Sequence, residues 1–165
     1  MTVTLVVEQN MAVQEDLSHM NNGEEESVLV KCRLFKRNDV TIINTYRTSK
    51  AAAYRKAWTS LLKNHNKENL LWVGDFNSHH EAWGYNHSTP QGRQLLQTGN
   101  DAHLTLLNDI ETPNRIGNSL ERYTNPNLTW GRTAKEVEWK CTGEALGRDH
   151  SVRDSHSHTK EAMHD

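Results

Sequence analysis

An acid and an amide near the middle of the chain have the types and spacing of a polar site at the end of a strand. The apolar run of residues 70 to 73 stops at Gly74 and is followed by Asp75, Phe76 and Asn77. Residues two apart on extended backbone project to the same side, so Asp75 and Asn77 face one way and Phe76 the other. Such a pair offers a base and a neutral donor, although Gly, Asp and Asn are also the common residues of an ordinary turn.

This pair stands in the first of four motifs that occur in a fixed order along the chain. They read GDFNSHHEAWG (74–84), TPNRIGNS (112–119), NPNLTW (125–130) and LGRDHSV (146–152). Together they resemble the endonuclease/exonuclease/phosphatase superfamily. The similarity is greatest to endonucleases of non-LTR retrotransposons, whose pattern runs GDFNAHHxxWG, TPTRxGNS, SPDLT and LGSDH. The resemblance covers residues 3 to 152 and indicates ancestry more directly than activity.

The resemblance implies an α/β fold of two packed β-sheets flanked by helices, incomplete at the N-terminus. Residues 1 to 152 would form a partial domain, and residues 153 to 165 a polar, His-rich tail that lacks the family's final core strand. Family members carry an earlier section with an asparagine in a W-N motif and a metal-binding glutamate in a Q-E motif, and this chain is expected to start after both. Gln14-Glu15 imitates the second motif. Its surroundings better match the stretch that leads into a later hairpin, so we interpret Glu15 as a decoy.

The resemblance also implies a chemistry, the hydrolysis of a DNA phosphodiester with Mg²⁺, or Mn²⁺, as cofactor. That reaction needs an oriented water, a stabilised pentacovalent phosphate and a neutralised leaving group. By resemblance Asp75 would orient or deprotonate the water, and Asn77 would donate to the scissile phosphate. Tyr46, which ends an N-x-Y motif, would reach the phosphate with its phenol. A single Tyr at a strand end is more often a packing residue.

The last motif supplies an acid and an imidazole. By resemblance Asp149 would hold Mg²⁺ together with Asp75, and His150 would stabilise the phosphate, a role that suits a group whose charge changes near neutral pH. The alternative is a surface Asp-His pair in a histidine-rich tail. Where the family has a small Ser before the acid, this chain has Arg148, whose bulk and charge would crowd the metal or offset the need for it.

A larger departure from the family pattern lies at Asn127. The family has an aspartate here, which orients the catalytic His and stabilises its positive form. An amide cannot supply that charge, and neutralising an analogous orienting aspartate in another hydrolase costs ~10⁴ in rate. The sequence therefore predicts an endonuclease-like domain of retrotransposon origin with impaired activity. A non-catalytic remnant of the fold is the main alternative.

Contacts to DNA are expected in the second motif. Arg115 and Asn118 lie in a loop that approaches the active site in the family, and Arg115 is suited to a phosphate, although it would otherwise be an ordinary exposed arginine. The chain has 19 basic and 21 acidic residues and a net charge of -2. No general positive field would attract nucleic acid, so any DNA contact must be local.

The histidines of the first motif suggest a rival metal site. His79, His80, Glu81 and His87 offer imidazole and carboxylate groups, which are normal Zn²⁺ ligands. Adjacent histidines point apart on extended backbone, however, and no HExxH motif or second spaced pair completes four ligands. A His-based zinc hydrolase is therefore the third and most distant interpretation.

Composition fits one domain. The chain has 165 residues, of which 35% are hydrophobic, a proportion that is lean for an α/β core. Cys32 and Cys141 are far apart and indicate neither a disulfide framework nor a cysteine metal site. Without an apparent signal peptide or a long apolar run, we expect an intracellular protein, nuclear or cytoplasmic.

Local patterns place these motifs on strands and loops. Alternating or β-branched runs predict strands at residues 3 to 7, 28 to 35, 40 to 46, 70 to 73, 104 to 107 and 137 to 142. Residues 8 to 27 look like a polar connection. The spacing of Tyr54, Ala57, Trp58, Leu61 and Leu62 predicts a helix, and a second helix is expected near residues 90 to 102, started by Pro90 and interrupted by Gly99. We expect Tyr46, Asp75, Asn77 and His150 to converge at one end of the sheets.

Overall fold

The computed structural model describes residues 12–21, 25–33, 40–48, 55–67, 69–112, 125–132, 138–145 and 151–156. Its strands are β1 (Ala12–Asn21), β2 (Glu25–Arg33), β3 (Val40–Arg47), β4 (Asn69–Asp75), β5 (Thr105–Leu106), β6 (Asn127–Arg132), β7 (Glu138–Ala145) and β8 (Ser151–His156). Its helices are α1 (Arg55–Asn64) and α2 (Pro90–Asp101), with a short 3-10 helix at Glu81–Trp83. No helix in the described ranges is long and apolar enough to cross a membrane.

Six strands form one mixed sheet in the order β1-β2-β3-β4-β6-β5. Strands β3 and β4 are parallel, and α1 lies in the connection between them. The other neighbours in this sheet are antiparallel. Strands β7 and β8 form a separate antiparallel pair. Strands with helices interposed give the α/β class that the sequence predicts.

Both helices cover the same face of the six-stranded sheet. On β4, Trp72 packs edge to face against Trp58 of α1 and against Phe76, with ring centroids 5.1 and 4.9 Å apart. Trp130 of β6 is the register neighbour of Trp72, and α2 approaches it at Gly99, where an added Cβ would lie 2.7 Å from the Trp130 ring. Gly99 therefore serves close packing and does not interrupt α2, contrary to the sequence expectation.

Arg132 connects the ends of the two helices. Its guanidinium donates to the carbonyl of Ala102, which caps α2, and to the carbonyl of His65, in the turn that follows α1. Helix C-terminal carbonyls carry partial negative charge, so a cation placed between two of them is stabilising. Strand β6 is thereby fixed to the helical layer at the end opposite Asn127.

Three strands differ from the sequence expectation. Strand β1 occupies much of the stretch predicted to be a polar connection, and it pairs with β2 through a register shift between Asp16 and Met20. Strand β6 runs through the third motif, for which no strand was predicted. Residues 153 to 156 of the expected tail belong to β8. The strand predicted at residues 3 to 7 lies outside the described residues.

Candidate active site at the end of strands β3, β4 and β6

Tyr46, Asp75 and Asn127 form one row across three neighbouring strands. Tyr46 is the register partner of Asp75 in the parallel pair, and Asp75 is the partner of Asn127 in the antiparallel pair. Register partners project to the same face of a sheet, with Cα atoms about 4.5 to 5.5 Å apart. All three are half-buried and lie on the face opposite the helices. The fold thus places a phenol, a carboxylate and an amide side by side.

Gly74 allows β4 to approach β3 closely beside this row. Its φ is +154°, and an added Cβ would lie 1.8 Å from the carbonyl oxygen of Thr45. The hydroxyl of Thr45 accepts from the indole N–H of Trp72 at 3.0 Å and lies 3.0 Å from the hydroxyl of Ser27. This buried chain of hydrogen bonds joins β2, β3 and β4 directly behind the site. A satisfied buried network of this kind makes the strand positions rigid.

Asn77 takes a left-handed backbone conformation immediately after β4. Its φ is +45°, and its backbone N–H donates to Asp75 Oδ1 at 3.2 Å. The Asn77 side chain donates from Nδ2 to the carbonyl of Arg47 at 2.8 Å. The turn interpretation of this motif is therefore correct as geometry, and it leaves the polar site in place. Because an amide nitrogen carries two hydrogens, one donor remains beyond the bond to Arg47.

Asn108 is a further residue at the site that the sequence motifs did not reveal. It follows β5 and is 8% exposed. Its Nδ2 donates to the carbonyl of Asn127 at 3.0 Å, and its Oδ1 accepts from the backbone N–H of Thr129 at 2.6 Å. The amide of Asn108 therefore completes the backbone hydrogen bonding of β6 at Asn127, where this strand begins. The only signal in the sequence was a polar residue directly after a predicted strand, which is not specific.

The loop from Asn77 to α2 is closed at the carbonyl of His79. That oxygen accepts from the backbone N–H of Thr89 at 3.0 Å and from its hydroxyl at 3.2 Å. The same hydroxyl accepts from the N–H of Gly92 at 3.1 Å, which makes Thr89 the N-cap of α2. An added Cβ at Gly92 would lie 1.9 Å from the His79 oxygen. The start of α2 thus fixes the loop that follows the site.

The two adjacent histidines point to different neighbours, as expected from the sequence. His79 stacks on Tyr85 with centroids 4.2 Å apart and planes 11° apart, whereas His80 lies against the buried Trp83. His80 also accepts from the backbone N–H of Ala82 and starts the 3-10 helix. Among the described residues no group of three or more His, Cys, Asp or Glu side chains is arranged to hold a metal ion.

Several predicted site residues lie outside the described ranges. Arg115 and Asn118 fall between residues 113 and 124. Asp149 and His150 fall in the connection between β7 and β8. The expected convergence of His150 with Asp75 and its proximity to Asn127 therefore stay predictions, while Tyr46, Asp75 and Asn77 do meet at one sheet end.

Strand register argues against Glu15 as a metal ligand at this site. Glu15 pairs with Val30, Val30 with Ile42, and Ile42 with Leu71, so Glu15 lies three strands from β4 in the row of Leu71. Three strand spacings and four residues along β4 place its Cα roughly 20 Å from that of Asp75. One Mg²⁺ with ligand distances of about 2.1 Å cannot be shared across that separation. Glu15 remains a decoy.

Comparison with known proteins identifies the family. The sequence model of the endonuclease-reverse transcriptase family matches residues 40–153. The endonuclease domain of TRAS1, a telomere-specific non-LTR retrotransposon, superimposes with a TM-score of 0.73 at 17% identity, over 94% of this chain and 73% of that domain. No curated protein matches significantly. The structural match confirms an α/β sandwich of the endonuclease/exonuclease/phosphatase type, and the family model shows that the chain belongs to the endonuclease-reverse transcriptase family.

Proposed function

We propose that this domain hydrolyses DNA phosphodiesters in a Mg²⁺-dependent nicking reaction, and that the amide at position 127 makes the reaction slow. The observation that carries the proposal is the row of Tyr46, Asp75 and Asn127, because three strands deliver it to one sheet end. DNA as the substrate is supported by the similarity to the endonuclease domain of TRAS1, a telomere-specific non-LTR retrotransposon.

Each side chain in the row has a chemical task in this proposal. Asp75 orients the attacking water and accepts its proton, since it is the only carboxylate among the three. Asn77 donates its remaining amide hydrogen to the scissile phosphate, and the phenol of Tyr46 donates to another phosphate oxygen. Preorganised donors of this kind stabilise charge that develops in the transition state. His150 supplies a further donor from the connection between β7 and β8.

The donor set suits Mg²⁺ in chemical type but supports only weak binding. Mg²⁺ takes oxygen ligands and is commonly held by one or two carboxylates together with substrate phosphate oxygens. Asp75 and Asp149 would hold the ion, which would neutralise charge on the phosphate and the leaving oxygen. Mn²⁺ would satisfy the same oxygen donors.

Position 127 determines the expected rate. An aspartate beside a histidine fixes the imidazole orientation and stabilises its charged form. Asn127 retains the backbone bond from Asn108 but carries no charge, so His150 would be a weaker partner for the phosphate. If the missing charge at position 127 abolished the reaction altogether, the domain would keep its fold and show no measurable activity.

A supercoiled-plasmid nicking assay with Mg²⁺ tests the role of Asp75. Asp75→Asn is the sharpest variant, because an amide keeps the oxygen that accepts from Asn77 N–H while the charge and the base are removed. We expect slow nicking by the native chain and none by Asp75→Asn. The exposed Asp101 undergoes the same change as a control in Asp101→Asn, which should leave the rate unchanged. Equal nicking by Asp75→Asn would exclude this site.

The effect of position 127 is tested separately with Asn127→Asp. Restoring the charge should raise the nicking rate, by up to ~10⁴ if the histidine is otherwise in place. The double variant Asn127→Asp with Asp75→Asn should again be inactive. A complete lack of nicking by Asn127→Asp, with the fold intact by circular dichroism, would support the non-catalytic remnant.

A further inference from the structure

The loop between β4 and α2 holds two histidine rings with their nitrogens facing one another. His79 Nδ1 lies 3.3 Å from His87 Nε2, and the ring planes are 76° apart. The residues are eight positions apart, and the loop folds back to bring them together. Of the four candidate ligands that the sequence offers here, the structure brings the rings of His79 and His87 together.

Each ring is fixed by a different neighbour. His79 is half-buried and stacked on Tyr85, and its backbone carbonyl is held at the start of α2 by Thr89. His87 is exposed, and its Nδ1 lies 2.7 Å from Asn86 Oδ1. Since an amide oxygen only accepts, His87 carries its proton on Nδ1 and directs the lone pair of Nε2 toward His79. Metal-binding histidines are oriented by the same kind of bond on the nitrogen away from the metal.

The separation of the two nitrogens fits a shared metal ion. Two nitrogens that each lie about 2.0 to 2.1 Å from a tetrahedral Zn²⁺ are ~3.3 to 3.4 Å apart. The observed 3.3 Å equals that ligand-to-ligand distance and also lies within hydrogen-bonding reach, so the ring-to-ring contact holds the two nitrogens at the spacing that a shared metal ion requires.

We propose that His79 Nδ1 and His87 Nε2 form a binding site for a borderline transition-metal ion, with Zn²⁺ as the probe. Imidazole ligands favour Zn²⁺ over Mg²⁺, which prefers oxygen, so this site is chemically separate from the row at Asp75. The pair provides two protein ligands, and water completes the coordination. Binding would hold the loop in its folded form, two residues beyond Asn77. The proposal does not depend on nicking activity.

Zinc titration followed by histidine ring NMR tests the proposal on the full chain. We expect the ring signals of His79 and His87 to shift together with one dissociation constant. In His87→Asn the shift of His79 should be lost, and Asn86→Ala should weaken binding by about tenfold or more, because it removes the orienting acceptor. His87 and Asn86 are exposed, so neither change should prevent folding.

His103→Asn is the matched control. His103 is exposed, lies away from this loop and has a φ of +55°, which asparagine tolerates. Its replacement should leave the shifts of His79 and His87 unchanged. Residue-resolved signals also separate this site from zinc bound by the histidines near the C-terminus. A native-like zinc response of His79 in the His87→Asn chain would overturn the proposal, as would zinc binding that leaves both rings unshifted.

Discussion

Asn77 shows how one residue serves both local geometry and chemistry. Its left-handed backbone turns the chain away from β4, and its side chain bonds back to β3 at Arg47. Asparagine tolerates this conformation better than most residues, because its short polar side chain bonds locally. The same amide is then held at a fixed place beside Asp75. Asn77 can therefore form the turn and also donate a hydrogen bond to a phosphate.

Substitutions at Asn77 should separate the backbone contribution from the side-chain contribution to stability. Asn77→Ala loses the bond to Arg47 and places Ala at positive φ, with an expected loss of ~1 to 3 kcal/mol in the free energy of unfolding. Asn77→Gly loses the bond but accepts the backbone, so it should be more stable than Asn77→Ala by about 1 kcal/mol. Urea denaturation measures both values. A less stable Gly variant would show that the turn conformation is not the limiting factor.

The site residues that belong to sequence motifs could be predicted, whereas Asn108, which lies outside the motifs, could not. Asp75 and Asn77 follow an apolar run and a glycine, so a polar pair at a strand end could be predicted. The extended backbone assumed for Asn77 was wrong, because this residue reaches its place through a left-handed turn after β4. The role of Asn108 depends on β6, which pairs with β4 across a long stretch of sequence. Its two bonds are to backbone groups and leave no pattern of side-chain types. A contact of this kind becomes visible only when the strands are paired.

At the scale of elements, Asn108 acts as a substitute for a strand neighbour at the start of β6. It satisfies one carbonyl and one N–H of that strand with a single side chain. A buried backbone group that loses its partner costs about 1 to 3 kcal/mol. The position of Asn127, and with it the row at the sheet end, therefore depends on this amide.

We expect Asn108→Ala to lower the free energy of unfolding by roughly 2 to 4 kcal/mol, because both bonds are lost. Asn108→Asp keeps the acceptor for Thr129 N–H but turns a carboxylate oxygen toward the carbonyl of Asn127. It should fall between the native chain and the alanine variant. Chemical denaturation with both variants checks the order. If Asn108→Ala is as stable as the native chain, water replaces the amide and β6 needs no such support.

The cap of α2 should also contribute measurably to stability. Thr89→Ala removes the hydroxyl that accepts from Gly92 N–H and donates to the carbonyl of His79. We expect a loss of ~1 to 2 kcal/mol in the free energy of unfolding, typical of an N-cap substitution. Thr89→Ser keeps the hydroxyl and serves as the control. Equal losses in the two variants would assign the effect to the methyl group.

Elements with a regular pattern were predicted, and those without one were not. Strand β3 alternates strictly between buried and half-buried residues, and α1 has apolar residues at helical spacing. Strand β1 reads AVQEDLSHMN, in which charged residues and a register shift obscure the alternation. Its place in the sheet comes from pairing with β2 and not from its own composition. Tertiary pairing overrides local propensity in such strands.

At the scale of the whole molecule, charge bears on how DNA would be bound. The net charge of -2 provides no general attraction, so affinity must come from a few local contacts. Each phosphate contact on duplex DNA contributes about 0.9 to the slope of log affinity against log salt concentration. The slope of log affinity against log salt concentration therefore gives the number of phosphate contacts.

Arg115→Ala should reduce that salt slope by about 0.9 if its side chain contacts one phosphate. Lys63→Ala, at the exposed end of α1, removes the same charge from another part of the surface. It should leave the slope unchanged. Fluorescence anisotropy with a labelled duplex at several salt concentrations gives both values. Equal changes in the two variants would indicate a general field effect in place of a local contact.

The position of β4 between β3 and β6 sets the order in which its two edges can be paired while the chain is being synthesised. Strand β3 and α1 precede β4, so that half of the pairing can form early, whereas β6 leaves the ribosome only after a long further stretch. Until then one edge of β4 has no β6 beside it, and an open central edge invites pairing with other chains. A transcript that ends before codon 127 would therefore yield a product that lacks Asn127, the third member of the row at Asp75, and that exposes its central strand to aggregation.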